Sequence, residues 1–296
     1  MKLTLFKTAR RERGFTLVEA IVVMVLTAIL AGIAVVFIRR PVQGYVDTAA
    51  RADMADAAEI VLRRMSREIH TALPNSIRFM VIGNTSFIEF IPTKSGGQYL
   101  STSDGAPASL KPLDTTGASL QFQIVGPVPS GVYAITPQDA IVIYNLGSGI
   151  ANADAYAGTN RAGVSQVTNG VVTMTNNPFN ANNASPGKRF SVVTQPVTYA
   201  CVNSAAGTGR LLRYANYGYT PNQVDPATRT DPNGNPVTPA LMTANVLACQ
   251  FSVTAAANQL TALVGLSIAL AHPSPDAPNG VETATLALQI HVDNTP

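Results

Sequence analysis

The chain has 296 residues and a formal charge of +3, with a sequence pI near 8.9, yet only 12% of its residues are charged. Removing the first 14 residues, which hold five Lys/Arg and one acid, takes the charge from +3 to −1. The basicity is therefore confined to the N-terminus, which excludes a basic nucleic-acid-binding surface, and no nucleic-acid partner is expected.

In chain order, Lys2, Lys7, Arg10, Arg11 and Arg13 come first, with Glu12 among them. Next stands Gly14-Phe15-Thr16-Leu17-Val18-Glu19, followed by an almost unbroken apolar run over residues 20–38. From Phe15 to Ile38 the only ionisable side chain is Glu19. As a helix this stretch spans about 36 Å, enough to cross a bilayer. The positive charges ahead of it favour a cytoplasmic N-terminus. A carboxylate inside such a helix is costly and needs a partner and a reason. An ordinary secretory signal is cut at small residues after its apolar segment. Here that segment ends in Phe37-Ile38-Arg39-Arg40-Pro41, and the polar-to-apolar junction lies ahead of it.

A short basic peptide, a glycine and then Phe-Thr-Leu-Val-Glu resemble the type IV prepilin leader. The resemblance implies that a prepilin peptidase/methyltransferase cuts between Gly14 and Phe15 and methylates the new amine of Phe15. It divides the chain into a leader (1–14), a transmembrane helix (15–40), an amphipathic continuation (41–74) and a β-rich periplasmic or extracellular head (75–296). Glu19 then has two partners to choose between: the Phe15 amine of a neighbouring subunit, which would set the docking register, or its own Phe15 amine. In either case two charges in an apolar setting are tolerable only as a pair.

Pro41 removes a backbone donor and is expected to kink or break the helix. Beyond it Met54, Ala58, Val61, Leu62, Met65, Ile69 and Leu73 recur at helical spacing. The opposite face is charged and offers Asp56–Arg63 or Glu59–Arg63 pairs. Leu73-Pro74-Asn75 ends the helix. Strands are expected at 77–82 and 87–91, joined by a turn at 83–86, and at 120–124 and 139–144. Residues 92–118 read as loop. Residues 145–189, rich in Gly, Asn, Ala, Ser and Thr, read as a decorated surface region and not a second core. Further strands are expected at 190–193, 197–202, 211–214, 248–254, 260–270 and 281–292.

This order, one N-terminal helix and then strands, is α+β and resembles a pilin whose half-buried helix lies along an antiparallel sheet. Three later stretches, Gln195-Pro196-Val197-Thr198-Tyr199-Ala200-Cys201, Leu247-Ala248-Cys249-Gln250-Phe251 and Gln289-Ile290-His291-Val292-Asp293-Asn294-Thr295-Pro296, are similar to MshO-like minor pilins of the mannose-sensitive haemagglutinin (MSHA) system. Cys201 and Cys249 can form one disulfide in an oxidising compartment. It would close a 48-residue separation, worth about 3–4 kcal/mol in the chain-entropy model.

No catalytic constellation is evident. His70, His272 and His291 lack ligand neighbours, and two cysteines cannot build a structural zinc site. Asp231-Pro232-Asn233-Gly234-Asn235-Pro236 reads as a turn and not a calcium loop. Tyr214, Tyr217 and Tyr219 suit either a sticky surface or strand packing. No cofactor and no metal are expected, and the chain is read as a non-enzymatic minor pilin subunit. Its expected partners are the prepilin peptidase, other pilin subunits and the inner membrane, which it crosses once before assembly into a pilus or residence in the periplasm. The alternatives are a type II secretion pseudopilin, or a membrane-anchored adhesin binding through loops 145–189 and 220–239.

Overall fold

The computed structural model describes residues 14–296 except 106, 108, 182, 183, 256–260, 276 and 278. The leader residues Lys2, Lys7, Arg10, Arg11 and Arg13 lie outside the described residues. The architecture is α+β and pilin-like: one long, apolar N-terminal helix, then antiparallel strands. Two compact units divide the chain, one ending at Ala50 and the other spanning Arg51–Pro296.

The helix, α1, runs Leu17–His70 and passes through Pro41. The break expected at Pro41 does not occur. A proline removes one intrahelical donor and crowds the carbonyl four residues earlier, and long regular flanks can absorb that loss. The helix ends at His70, slightly before the expected stop. Thr71 and Ala72 then donate their N–H groups to the carbonyls of Glu68 and Ile69, a tightened last turn that satisfies orphan carbonyls.

In the second unit, seven strands form one sheet in the order β1-β2-β9-β10-β11-β12-β13. These are β1 (Arg78–Ile82), β2 (Thr85–Phe90), β9 (Val197–Val202), β10 (Gly209–Ala215), β11 (Ala240–Ala255), β12 (Thr261–Pro273) and β13 (Val281–Asp293). Met54, Ala58, Val61, Leu62, Met65 and Ile69 of α1 are buried in one cluster with Ile88, Tyr199, Leu211, Leu266 and Ile290 of the sheet. The helical spacing read from the sequence thus marks the packed face. Arg213 on β10 donates to Glu68 at 2.8 Å, tying helix to sheet at the margin of that core.

The remaining strands correct two expectations. Residues 92–118 contain β3 (Thr93–Tyr99), and residues 145–189 contain β6 (Arg161–Thr168) and β7 (Val171–Met174). With β4 (Gln121–Val125), β5 (Ala140–Val142) and β8 (Arg189–Val193) they close a six-stranded barrel in the order β3-β4-β7-β6-β5-β8. A second core does exist: Phe122, Phe190, Ile124, Ile141, Val164 and Met174 fill the barrel, with Phe122 edge-on to Phe190 at a centroid distance of 5.3 Å. Its strands are short and carry Gly, Ser, Thr and Gln on their outer faces. β4, β5 and β8 fall on strands expected from the sequence, whereas β3 holds a single large apolar residue, Tyr99, and β6 and β7 lie in a stretch dominated by Gly, Asn, Ser and Thr that masks their few apolar positions.

The barrel is an insertion. β2 and β9 are direct antiparallel neighbours, with Thr85 opposite Val202 and Phe90 opposite Val197. Everything from Ile91 to Pro196 leaves the sheet at one strand end and returns beside it. Leu73, Ile91, Val142, Tyr156 and Val193 form a small core at this junction.

Candidate functional site

Gly14, Phe15 and Thr16 precede the first turn of α1. Thr16 caps the helix: its Oγ1 accepts the N–H of Glu19 at 3.3 Å, and its carbonyl accepts the N–H of Ala20 at 3.1 Å. This satisfies one of the orphan donors of a helix start. Glu19 therefore sits at the third helical position, where a carboxylate is also favoured by the helix dipole. The sequence pattern Thr-x-x-Glu was a legible capping signature. Thr16 joins Gly14, Phe15 and Glu19 as a candidate functional residue of this segment through that cap.

The segment offers its surface outward. Phe15, Leu17 and Val18 are 74%, 76% and 69% exposed, and Glu19 is exposed too. The most apolar 18-residue window of α1 has a mean hydropathy of 3.1, and none of it is buried within the chain. By length and composition this stretch fits a membrane-anchoring helix. Within it, the Thr27 hydroxyl donates to the carbonyls of Val23 and Met24 at 2.8 and 3.0 Å. That hydroxyl thus carries its own partner into an apolar setting. Gly14 is not required by the fold, since a Cβ there would meet nothing within 4 Å. The same holds for Gly32 inside the helix.

In the second unit, Cys201 on β9 and Cys249 on β11 are bonded, with Cα atoms 6.2 Å apart. β10 lies between those strands in the sheet order: Cys201 stands opposite Leu211 of β10, while Cys249 lies past Val246, the residue opposite the first residue of β10, Gly209. Asn203 reinforces this corner: its Oδ1 accepts the N–H of Cys249 at 2.8 Å.

A buried polar cluster joins the barrel to the sheet. Arg78 on β1 donates to Glu89 on β2 at 2.8 Å and to the carbonyls of Thr220 and Pro221. Its guanidinium lies 3.5 Å from the centre of the Tyr156 ring. Tyr217 donates to the other carboxylate oxygen of Glu89 at 3.0 Å. Burial raises the pKa of Glu89 above the usual carboxylate range, and the bonds from Arg78 and Tyr217 oppose the rise. Arg161 stacks 3.5 Å over Tyr219 in the same way. Tyr214 and Tyr217 are buried and Tyr219 packs at the junction core, so these tyrosines serve packing.

His70 and His291 are exposed and His272 is half-buried. Glu59 is the carboxylate that pairs with Arg63, at 2.7 Å. Asp231 accepts the N–H groups of Asn233 and Asn235 at 2.9 and 2.8 Å, as a turn would. Among the described residues no group of three or more His, Cys, Asp or Glu is placed to hold a metal ion.

A family model described as a prokaryotic N-terminal methylation motif matches residues 9–35. The match covers the glycine, the capped first turn and most of the apolar run. It supports a type IV pilin-like or pseudopilin precursor, a class processed by prepilin peptidase and assembled with other pilins. No curated protein and no solved structure matches the chain.

Proposed function

We propose that this chain is a minor, non-enzymatic subunit of a type IV pilus, cut between Gly14 and Phe15 and methylated on Phe15. One observation carries the reading: the methylation motif at residues 9–35 opens a helix whose spanning stretch buries nothing within its own chain. A helix of that kind is built for lipid first and for other helices afterwards. Gly14 has no intramolecular reason to be glycine. A peptidase that must approach the backbone closely supplies one.

Glu19 is then the assembly residue, answering the Phe15 amine of a neighbouring subunit. The inserted barrel supports a minor role. It enlarges the head well beyond one helix and one sheet, which favours a place at the tip or in an initiating complex over repetition along a filament. The stretches around Cys201, Cys249 and Gln289 support an MSHA-like pilus over a type II secretion assembly. Residence is in the inner membrane before assembly and in the pilus after it.

The test is N-terminal sequencing and mass measurement of the protein from cells, with fractionation of membranes and sheared filaments. A methylated Phe15 terminus and recovery in the filament fraction are expected. A terminus at residue 1, or one beyond Ile38, overturns the reading.

A further inference from the structure

Where the barrel meets the sheet, a solvent-open trough of about 570 Å³ runs past β3, β8 and the end of β5. That volume lies within the range of pockets that hold small molecules, roughly 300–1,000 Å³. Its apolar lining combines the exposed Val125 and the prolines Pro74 and Pro127 with Leu73, Val142 and Phe190, which are nearly sealed beneath them. Its wall on β3 is bare backbone at Gly96-Gly97. A Cβ on Gly96 would come within 2.9 Å of the Phe190 carbonyl oxygen, so the register of β3 on β8 keeps that wall free of side chains.

Two further side chains give the trough its chemistry. Tyr144 lines it in a left-handed backbone conformation, φ 52°. For a bulky residue that conformation is strained and persists only where neighbours impose it. Here they do: the carbonyl of Tyr144 accepts from the buried Asn160 at 3.3 Å, and the next residue, Asn145, donates to the Pro74 carbonyl at 2.7 Å. Arg189 also lines the trough, and its guanidinium enters no ion pair among the described residues. An unpaired guanidinium presents a planar fork of donors matched to a carboxylate.

We propose that this trough binds a small acidic saccharide of the uronic-acid type. The carboxylate pairs with Arg189, and the apolar face of the sugar ring lies on Tyr144 and the floor. The ring hydroxyls reach Ser191 and the open backbone of Gly96. The proposal is independent of the leader and of assembly, and it gives the inserted barrel a recognition role.

The experiment is titration calorimetry on the full-length chain in detergent micelles, with digalacturonate as probe and lactose as the neutral control. Saturable digalacturonate binding is expected, with lactose at least tenfold weaker. Arg189→Gln removes the charge at an exposed position and should weaken digalacturonate by about tenfold or more. Tyr144→Asn keeps a residue that tolerates the left-handed backbone and removes the ring, which also packs against the barrel core, so weaker binding is expected at a temperature where thermal unfolding shows the variant still folded. Absence of binding, equal affinity for lactose, or full affinity in Arg189→Gln overturns the proposal.

Discussion

Arg78 and Glu89 stand opposite each other on β1 and β2, Nε to Oε2 at 2.8 Å, with 11% and 2% of their side chains exposed. Neither charge is placed by the local sequence pattern. Both are closed in by the Tyr156 ring from the inserted barrel and by the Thr220–Pro221 carbonyls.

The first prediction follows from that enclosure. Arg78→Met leaves the Glu89 carboxylate buried beside only the Tyr217 hydroxyl, which costs about 3–5 kcal/mol at neutral pH. Glu89 already has a raised pKa, and losing Arg78 raises it further. A carboxyl with a raised folded pKa contributes stability in acid, below its unfolded value, that is lost as pH rises through the folded value. The gap between wild type and variant should therefore widen from acid to neutral pH. Urea unfolding at several pH values measures it. A gap that does not change with pH would show that Glu89 is not the group left stranded.

Gly209, at the start of β10, is a second sensitive point. A Cβ there would collide with the carbonyl oxygens of Val202 on β9 and Val246 on β11. Those are backbone atoms of both flanking strands and cannot turn aside. Gly209→Ala should cost about 3 kcal/mol, read as a lower unfolding midpoint, with the neighbouring disulfide still formed.

The Cys201–Cys249 bond closes a long separation beside that glycine. Reduction, or Cys201→Ser with Cys249→Ser, should lower stability by about 3–4 kcal/mol in the chain-entropy model. Thermal unfolding with and without reductant checks this. Alkylation of denatured protein should reveal no free thiol until reductant is added.

The barrel is latched to the sheet by Arg161 over Tyr219 as well as by Arg78 over Tyr156. Arg161→Lys keeps the charge but loses the flat stacking, for a cost of about 1 kcal/mol. Amide exchange should quicken around residues 155–161, where Arg161 also donates to the Ala155 carbonyl at 2.8 Å. The protection of β12 and β13 should not change.

At the N-terminus, Glu19→Ala and Thr16→Val should separate assembly from helix capping. Thr16→Val removes the cap on the Glu19 amide, at about 1 kcal/mol, and should fray the first turn. Glu19→Ala leaves that cap in place and removes the charge proposed to answer a neighbour's amine. Membrane insertion and cleavage should persist, while recovery in sheared filaments should fall more than a hundredfold, as expected for an interaction of about 3–5 kcal/mol. Normal recovery of Glu19→Ala would assign the docking register to helix packing alone.

What the sequence by itself determined are the features written as local periodicity. The apolar run, the buried stripe Met54-Ala58-Val61-Leu62-Met65-Ile69 and the strands of the large sheet are carried by neighbours a few residues apart. A helix or a half-buried strand must show its period to be stable at all. What only the tertiary structure decided is the barrel between β2 and β9, the Arg78–Glu89 enclosure and the seat of Gly209. Each depends on residues brought together from distant parts of the chain. Strands such as Thr93–Tyr99, whose only large apolar residue is Tyr99, are held by pairing on both sides in a closed barrel. Closure supplies their backbone partners, so their side chains need no hydrophobic pattern of their own.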